Sequence, residues 1–162
     1  MSLSVNLRHL ERHAVTLAGS ISPAELDLVI ADELIRAPHP LRYCLTVERV
    51  AEGLLVTGQL ELLLACVCAR CLKPFAHTVR LDPWTCHLPL EGEEAVPLHG
   101  DLVDLTAPVR EDILLSFPQH PLCEPECRGL PSAARNTAPT PDPGAQSTGG
   151  ASAWAALDKL NL

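Results

Sequence analysis

LRYCLTVERVAEGLLVTGQLELLLACV, residues 41–67, decides how this chain folds. In its first ten positions Leu41, Tyr43, Leu45 and Val47 fall on one side of an extended chain, and Arg42, Thr46 and Glu48 on the other. That alternation is the period of a strand with one buried face. Glu52-Gly53 supplies a turn, because glycine takes positive φ without a steric penalty. In the second run Leu54, Val56, Leu60, Leu62, Leu64 and Cys66 share one face, against Thr57, Gln59 and Glu61. The two runs read as an antiparallel hairpin whose apolar side must be covered.

Downstream, AHTVRLDPWTCHLPL (76–90) alternates less cleanly, and Asp82-Pro83 marks a bulge or an edge position. A third antiparallel strand is expected there. After the acidic loop EGEEA (91–95) comes DLTAPVREDILLSF (104–117). Asp104 or Thr106 can cap it, Pro108 suits the first turn, and Val109, Ile113 and Phe117 recur every four residues. These features predict an amphipathic helix over 105–117, ended by Pro118.

Upstream, Ser22-Pro23-Ala24-Glu25 has the pattern of a helix start. It should last one turn, because LDLVI (26–30) reads as extended. Residues 1–20 are polar and mixed around the short apolar AVTLAG, and 36–40 read as a connector. PSAARNTAPTPDPGAQSTGGA (131–151) cannot bury a core and reads as a flexible linker. The closing SAWAALDKLNL (152–162) reads as a short helix capped by Ser152, with Trp154, Leu157 and Leu160 along one stripe. It is expected to act as a docking element or as a lid. The expected class is therefore α+β: a hairpin-led antiparallel β-sheet, one main amphipathic helix, a cysteine knuckle and a flexible C-terminal tail. The expected division is a domain over 1–130, a linker over 131–151 and a helix over 152–162.

A chain of 162 residues builds one core rather than two. Its 12 basic and 20 acidic residues leave a formal charge of −8, which argues against a general nucleic-acid binder. From Asp82 to Cys127 there are ten carboxylates and a single base, Arg110, a balance suited to a basic protein partner. The opening MSLSVNLRHLERH lacks an apolar run after a basic start, and no stretch reaches the ~18 apolar residues of a membrane span. A soluble, cytoplasmic protein is expected. Seven cysteines in a reducing compartment then point to metal, thiol chemistry or burial rather than to a disulfide framework.

Three of them lie in CVCARCLKPF (66–75). Cys66 shares parity with Leu60, Leu62 and Leu64 and should face the core. Cys68 and Cys71 have the two-residue spacing that lets both thiolates reach one metal from a tight turn. In PLCEPECRGL (121–130), Cys123 and Cys127 add a C-x3-C pair. Together these are four soft ligands suited to tetrahedral zinc. A redox pair of the thioredoxin kind belongs at a helix N-terminus in a βαβ unit, whereas this pair ends a hairpin strand. Cys44, on the polar strand face, and Cys86, in the third strand, read as bystanders. The histidines are scattered, and only His120 lies near enough in sequence to Cys123 to serve as a substitute ligand. No nucleophile–base ordering, phosphate-cradling loop or HExxH is present, so neither an enzyme nor a small-molecule substrate is expected. Arg70, Lys73 and Arg80, with His77, surround the knuckle and can touch a few phosphates.

Cys68-Ala69-Arg70-Cys71-Leu72-Lys73-Pro74-Phe75, following an alternating strand, resembles the YceD family of large ribosomal RNA subunit accumulation proteins. The resemblance extends through LTVERVAEGLLVTGQLEL, DLTAPVREDILLSFPQHPLCEPECRGL and SAWAALDKL. It implies a non-enzymatic cytoplasmic protein supporting 23S ribosomal RNA accumulation, in large-subunit biogenesis. The implied partner is a ribosomal protein or a pre-ribosomal large-subunit component. Arg70, Lys73 and Arg80 are candidate rRNA contacts, and Trp154 and Leu157 candidate partner contacts. The alternative is a zinc-binding or thiol-redox regulatory module. Many members continue after Gly-Leu with C-P-x-C-G-x-N-L, whereas this chain reads Gly129-Leu130-Pro131-Ser132. If the family's metal site uses that later cluster alone, this chain has lost it. If it joins Cys68 and Cys71 to Cys123 and Cys127, the site is whole.

Overall fold

Alternation along the hairpin becomes the middle of a five-stranded antiparallel sheet in the computed structural model, which describes residues 3–28, 30, 32–93 and 95–130. The strands are β1 (Ser4–Asn6), β2 (Val15–Ile21), β3 (Ile35–Arg36), β4 (Leu41–Val50), β5 (Gly53–Val67), β6 (Pro74–Pro89), β7 (Leu98–His99) and β8 (Leu102–Asp104), followed by one helix, α1 (Thr106–Leu115). β5 is the axis. β6 pairs along it from Gly53 to Val67, while β4 takes Gly53–Glu61 and β3 takes Ala65 and Cys66. β2 adds outside β4, with Leu17 opposite Leu45.

The predicted inward face is the buried one. Leu41, Leu45, Val47, Leu54, Val56, Leu60 and Leu62 are inaccessible to solvent, and Cys66 is buried beside them. Each such leucine or valine contributes ~1.5–3 kcal/mol by leaving water. On the opposite face Cys44, Gln59 and Leu63 are exposed. At Gly58 φ is 154°, and a Cβ there would stand 2.1 Å from the Cys44 carbonyl oxygen. Only glycine allows β4 and β5 to approach so closely.

Asp82-Pro83 forms the expected bulge. Gly58 pairs with Trp84 and Leu60 with Leu81, so two residues of β6 oppose Gln59 alone. The extra residue moves the inward positions from odd (Val79, Leu81) to even (Trp84, Leu88), which is why this strand alternated poorly in the sequence. Proline offers no N–H to a ladder, so it is accommodated where pairing is already interrupted.

β1, β8 and β7 form a second, small antiparallel sheet, in which Val5 faces Val103. Val5, Val103, Leu105, Val109 and Ile113 join the core of the large sheet. The Trp84 indole Nε1–H donates to Asp112 Oδ2 at 2.6 Å, which ties α1 to β6. The helix begins where Asp104 Oδ1 accepts the Thr106 N–H at 2.8 Å, so Asp104 serves its start rather than the Thr106 side chain. It ends two residues short of the predicted limit. Ser116 Oγ–H donates to the Asp112 carbonyl, and Phe117 precedes Pro118, which disfavours a helical conformation.

Upstream expectations need two corrections. The Ser22–Glu25 box forms, with Ser22 N–H to Glu25 Oε2 at 3.1 Å and Glu25 N–H to Ser22 Oγ at 3.2 Å. The following residues do not extend, however. Leu26 and Leu28 N–H donate back to the Ser22 and Pro23 carbonyls, Asp27 takes φ 48°, and the turn drives Leu26 into the core. The first 20 residues, read as mixed, supply β1 and most of β2. Exposed Thr16, Ala18 and Gly19 leave β2 almost without an apolar face. The linker and terminal helix expected over 131–162, with Trp154, Leu157 and Leu160, lie outside the described residues. Among the described residues no helix is long and apolar enough to cross a membrane.

Candidate metal centre

The loop joining β5 to β6 contains the first cysteine pair. Cys68 N–H donates to the Lys73 carbonyl and Leu72 N–H to the Cys68 carbonyl, both at 2.9 Å, and Leu72 takes φ 60° to close the turn. A loop this tight points both thiols to one side. The second pair follows α1, where Pro118 has stopped the helix, and its own turn is closed by Cys127 N–H to the Glu124 carbonyl at 3.1 Å. Two bonds lace the loops together. Ala69 N–H donates to the Pro121 carbonyl at 2.8 Å, and the Arg70 guanidinium Nη1 to the Cys127 carbonyl at 2.9 Å.

The four sulfurs of Cys68, Cys71, Cys123 and Cys127 consequently lie within 4.8 Å of one another. Cys68 and Cys127 Sγ are 3.7 Å apart, and Cys71 and Cys123 Sγ 3.6 Å. Ligands at ~2.3 Å from a tetrahedral ion stand ~3.8 Å from each other, so the arrangement fits one zinc-sized ion bound by all four. A multinuclear cluster, with its ligands spread around several metals, would need a wider cage. Cys68 and Cys127 are buried, while Cys71 and Cys123 are half-buried beside a cavity of 370 Å³ that Lys73 and Glu124 also line. Four protein sulfurs leave no open coordination position, which is the pattern of structural rather than catalytic sites.

The surroundings treat the sulfurs unequally. The backbone N–H groups of Cys123 and Cys71 point at Cys68 and hold its thiol down to about 6. Burial, reinforced by a hydrogen bond with Cys71, pushes Cys123 up to about 12. The backbone thus favours the charged form at Cys68, whereas burial opposes it at Cys123. The other cysteines stand apart. Burial raises Cys66 in the core, burial and the Asp112 and Glu111 carboxylates raise Cys86, and Cys44 is exposed on the far sheet face. His120 is exposed and outside the four-sulfur group.

Arg70 is engaged with Cys127, Lys73 lines the cavity, and Arg80 lies further along β6 in an ion pair with Asp82 at 3.1 Å. Trp154 and Leu157 lie outside the described residues. Sequence reasoning passed over the brace from Arg70 and the N–H groups aimed at Cys68, because spacing reports ligands and not what orients them. The four cysteines present bring enough sulfurs for one ion within 4.8 Å of one another.

The family model for the large ribosomal RNA subunit accumulation protein YceD matches residues 56–161. Uncharacterized proteins of Mycobacterium bovis and of two strains of Mycobacterium tuberculosis are each 34% identical over 120 residues, covering 67% of this chain and 56% of theirs. The chain thus spans little more than half the length of these relatives. No solved structure matches it significantly. The matched segment runs from the second hairpin strand through both cysteine pairs, and the chain belongs to the YceD family.

Proposed function

We propose that this chain is a non-enzymatic factor in the accumulation of large-subunit ribosomal RNA, and that its two cysteine pairs hold a structural zinc ion. The convergence of four sulfurs within 4.8 Å carries the reading. Zinc supplies cohesion between the β5–β6 loop and the segment after α1, neither of which has much apolar surface of its own. A saturated ligand set supports a binding role over catalysis. The family's name supports the ribosomal RNA assignment, and the acidic balance over 82–127 supports a basic ribosomal protein, or another pre-ribosomal large-subunit component, as the partner. Contact with rRNA itself falls to Lys73 and Arg80, which are exposed. The competing reading is a zinc-binding or thiol-redox regulatory module with no ribosomal role.

Two measurements test the proposal together. Elemental analysis of the purified chain should find one zinc per molecule, and depletion in cells should lower 23S relative to 16S ribosomal RNA. An unchanged rRNA ratio overturns the ribosomal role. Protein that carries no zinc and gains no stability from it overturns the metal.

A further inference from the structure

The two sulfur pairs have nearly the same separation but different access. Cys68 and Cys127 are 0% and 5% exposed, whereas Cys71 and Cys123 are half-buried; Cys71, Cys123 and Cys127 all line the 370 Å³ cavity. Cys71 sits at the tip of the β5–β6 loop beside Leu72, which is 60% exposed. The two accessible sulfurs lie 3.6 Å apart, on segments 52 positions distant in the chain. A disulfide needs ~2.05 Å, a closure of about 1.5 Å from the present separation. We infer that Cys71 and Cys123 form a peroxide-oxidisable pair whose disulfide ejects the metal, making this centre a redox-sensitive fastening.

The chemistry balances with hydrogen peroxide as oxidant. The Cys71 sulfur attacks one peroxide oxygen, the O–O bond breaks, hydroxide leaves and Cys71 becomes a sulfenic acid. The Cys123 sulfur then attacks Cys71 sulfur, forming the S–S bond and releasing the hydroxyl as a second hydroxide. Two protons convert both hydroxides to water. The two sulfurs together give up two electrons and the peroxide takes them. Cys68 and Cys127 remain reduced, and two thiolates alone cannot retain an ion that was held by four. Burial is what selects the first bond: Cys127 also touches the cavity but is only 5% exposed, and Cys68 is 0% exposed, so an oxidant meets the half-buried Cys71 and Cys123 first. A thiol reductant with added zinc restores the original state.

This inference rests on the zinc reading, and the experiment separates the two. The full chain carries Cys44→Ser and Cys86→Ser to remove the thiols outside the site and the core. Zinc is quantified first, then peroxide is added, metal release is followed with a chromogenic chelator, and disulfides are mapped by peptide mass spectrometry. The expected result is release of the metal together with a Cys71–Cys123 disulfide, while Cys68 and Cys127 remain alkylatable, and recovery after reductant and zinc. A first disulfide between any other cysteines overturns the inference, as does metal retained through peroxide exposure. A metal-free sample run in parallel should form the same bond. If the chain binds no zinc, that sample alone decides the pair, and a Cys71–Cys123 bond in it leaves the pair standing while the zinc reading falls.

Discussion

Replacing Arg70 by alanine should weaken metal binding although no ligand is touched. Its guanidinium donates to the Cys127 carbonyl at 2.9 Å, so a side chain of the first loop holds a ligand residue of the second in place. A hydrogen bond from a charged donor contributes ~1.5–3 kcal/mol when shielded. Arg70 is exposed, which reduces this to ~1–2 kcal/mol after screening. That range corresponds to roughly a 5–30-fold rise in dissociation constant. It overlaps the ~10–100-fold usually lost with outer-shell partners of a metal site. The assay is competition between the protein and a colorimetric zinc chelator of known affinity. Lys73→Ala is the control, because among the described residues Lys73 makes no side-chain bond to the second loop. It should stay within about twofold of the parent, the usual effect of a surface change. Equal affinities for the parent, Arg70→Ala and Lys73→Ala would refute the reasoning.

Gly58→Ala should destabilise the sheet by ~3 kcal/mol or more, because the new methyl meets the Cys44 carbonyl at 2.1 Å and backbone cannot move aside cheaply. Urea unfolding within ~0.5 kcal/mol of the parent would contradict that packing. Leu62→Asp places an unpaired charge at a fully buried position and should cost several kcal/mol, visible as lost cooperative unfolding. In zinc-loaded protein at pH 8, iodoacetamide should alkylate Cys44 quickly. It should modify Cys86 slowly, because burial and the Asp112 and Glu111 carboxylates raise that thiol and leave less thiolate. Four further cysteines should become reactive after chelation, and all seven reacting alike beforehand would argue against a closed site.

The hairpin was legible because one face is mostly buried, with Tyr43 half-buried on it, and burial on one side is what writes a period of two into a strand. The metal ligands were legible as pairs through their spacing alone. Their meeting was expected from the two pairs taken together, but what produces it was not legible, since it depends on β6, β7, β8 and α1 bringing Cys123 back to Cys71 across 52 positions. β2 was missed because an edge strand with Thr16, Ala18 and Gly19 outward shows almost no contrast between its faces. β3, β7 and β8 are two or three residues long, too short to display any period, and exist because β5, β8 and β1 respectively offer them partners. The turn after Ser22 was recognised, but its extent was set by Leu26 reaching the core, a tertiary demand that local propensity does not carry.

The proposed ion, by joining Cys71 to Cys123, would make a ring of the intervening chain. That ring contains β6, the β7–β8 hairpin and α1. An unfolded chain closed over 52 residues is less disordered than an open one, by ~4 kcal/mol if the ion acts as a covalent crosslink does. The ring also fixes an order of events during synthesis. The hairpin emerges with its own loop and two sulfurs, but the remaining ligands arrive only after β6, the small sheet and α1 have all left the ribosome. An ion caught early by Cys68 and Cys71 is held by two thiolates. Under the zinc proposal it would become tightly bound only when Cys127 arrives, so metal occupancy would report that everything from β5 to the second loop has been made and brought back into place.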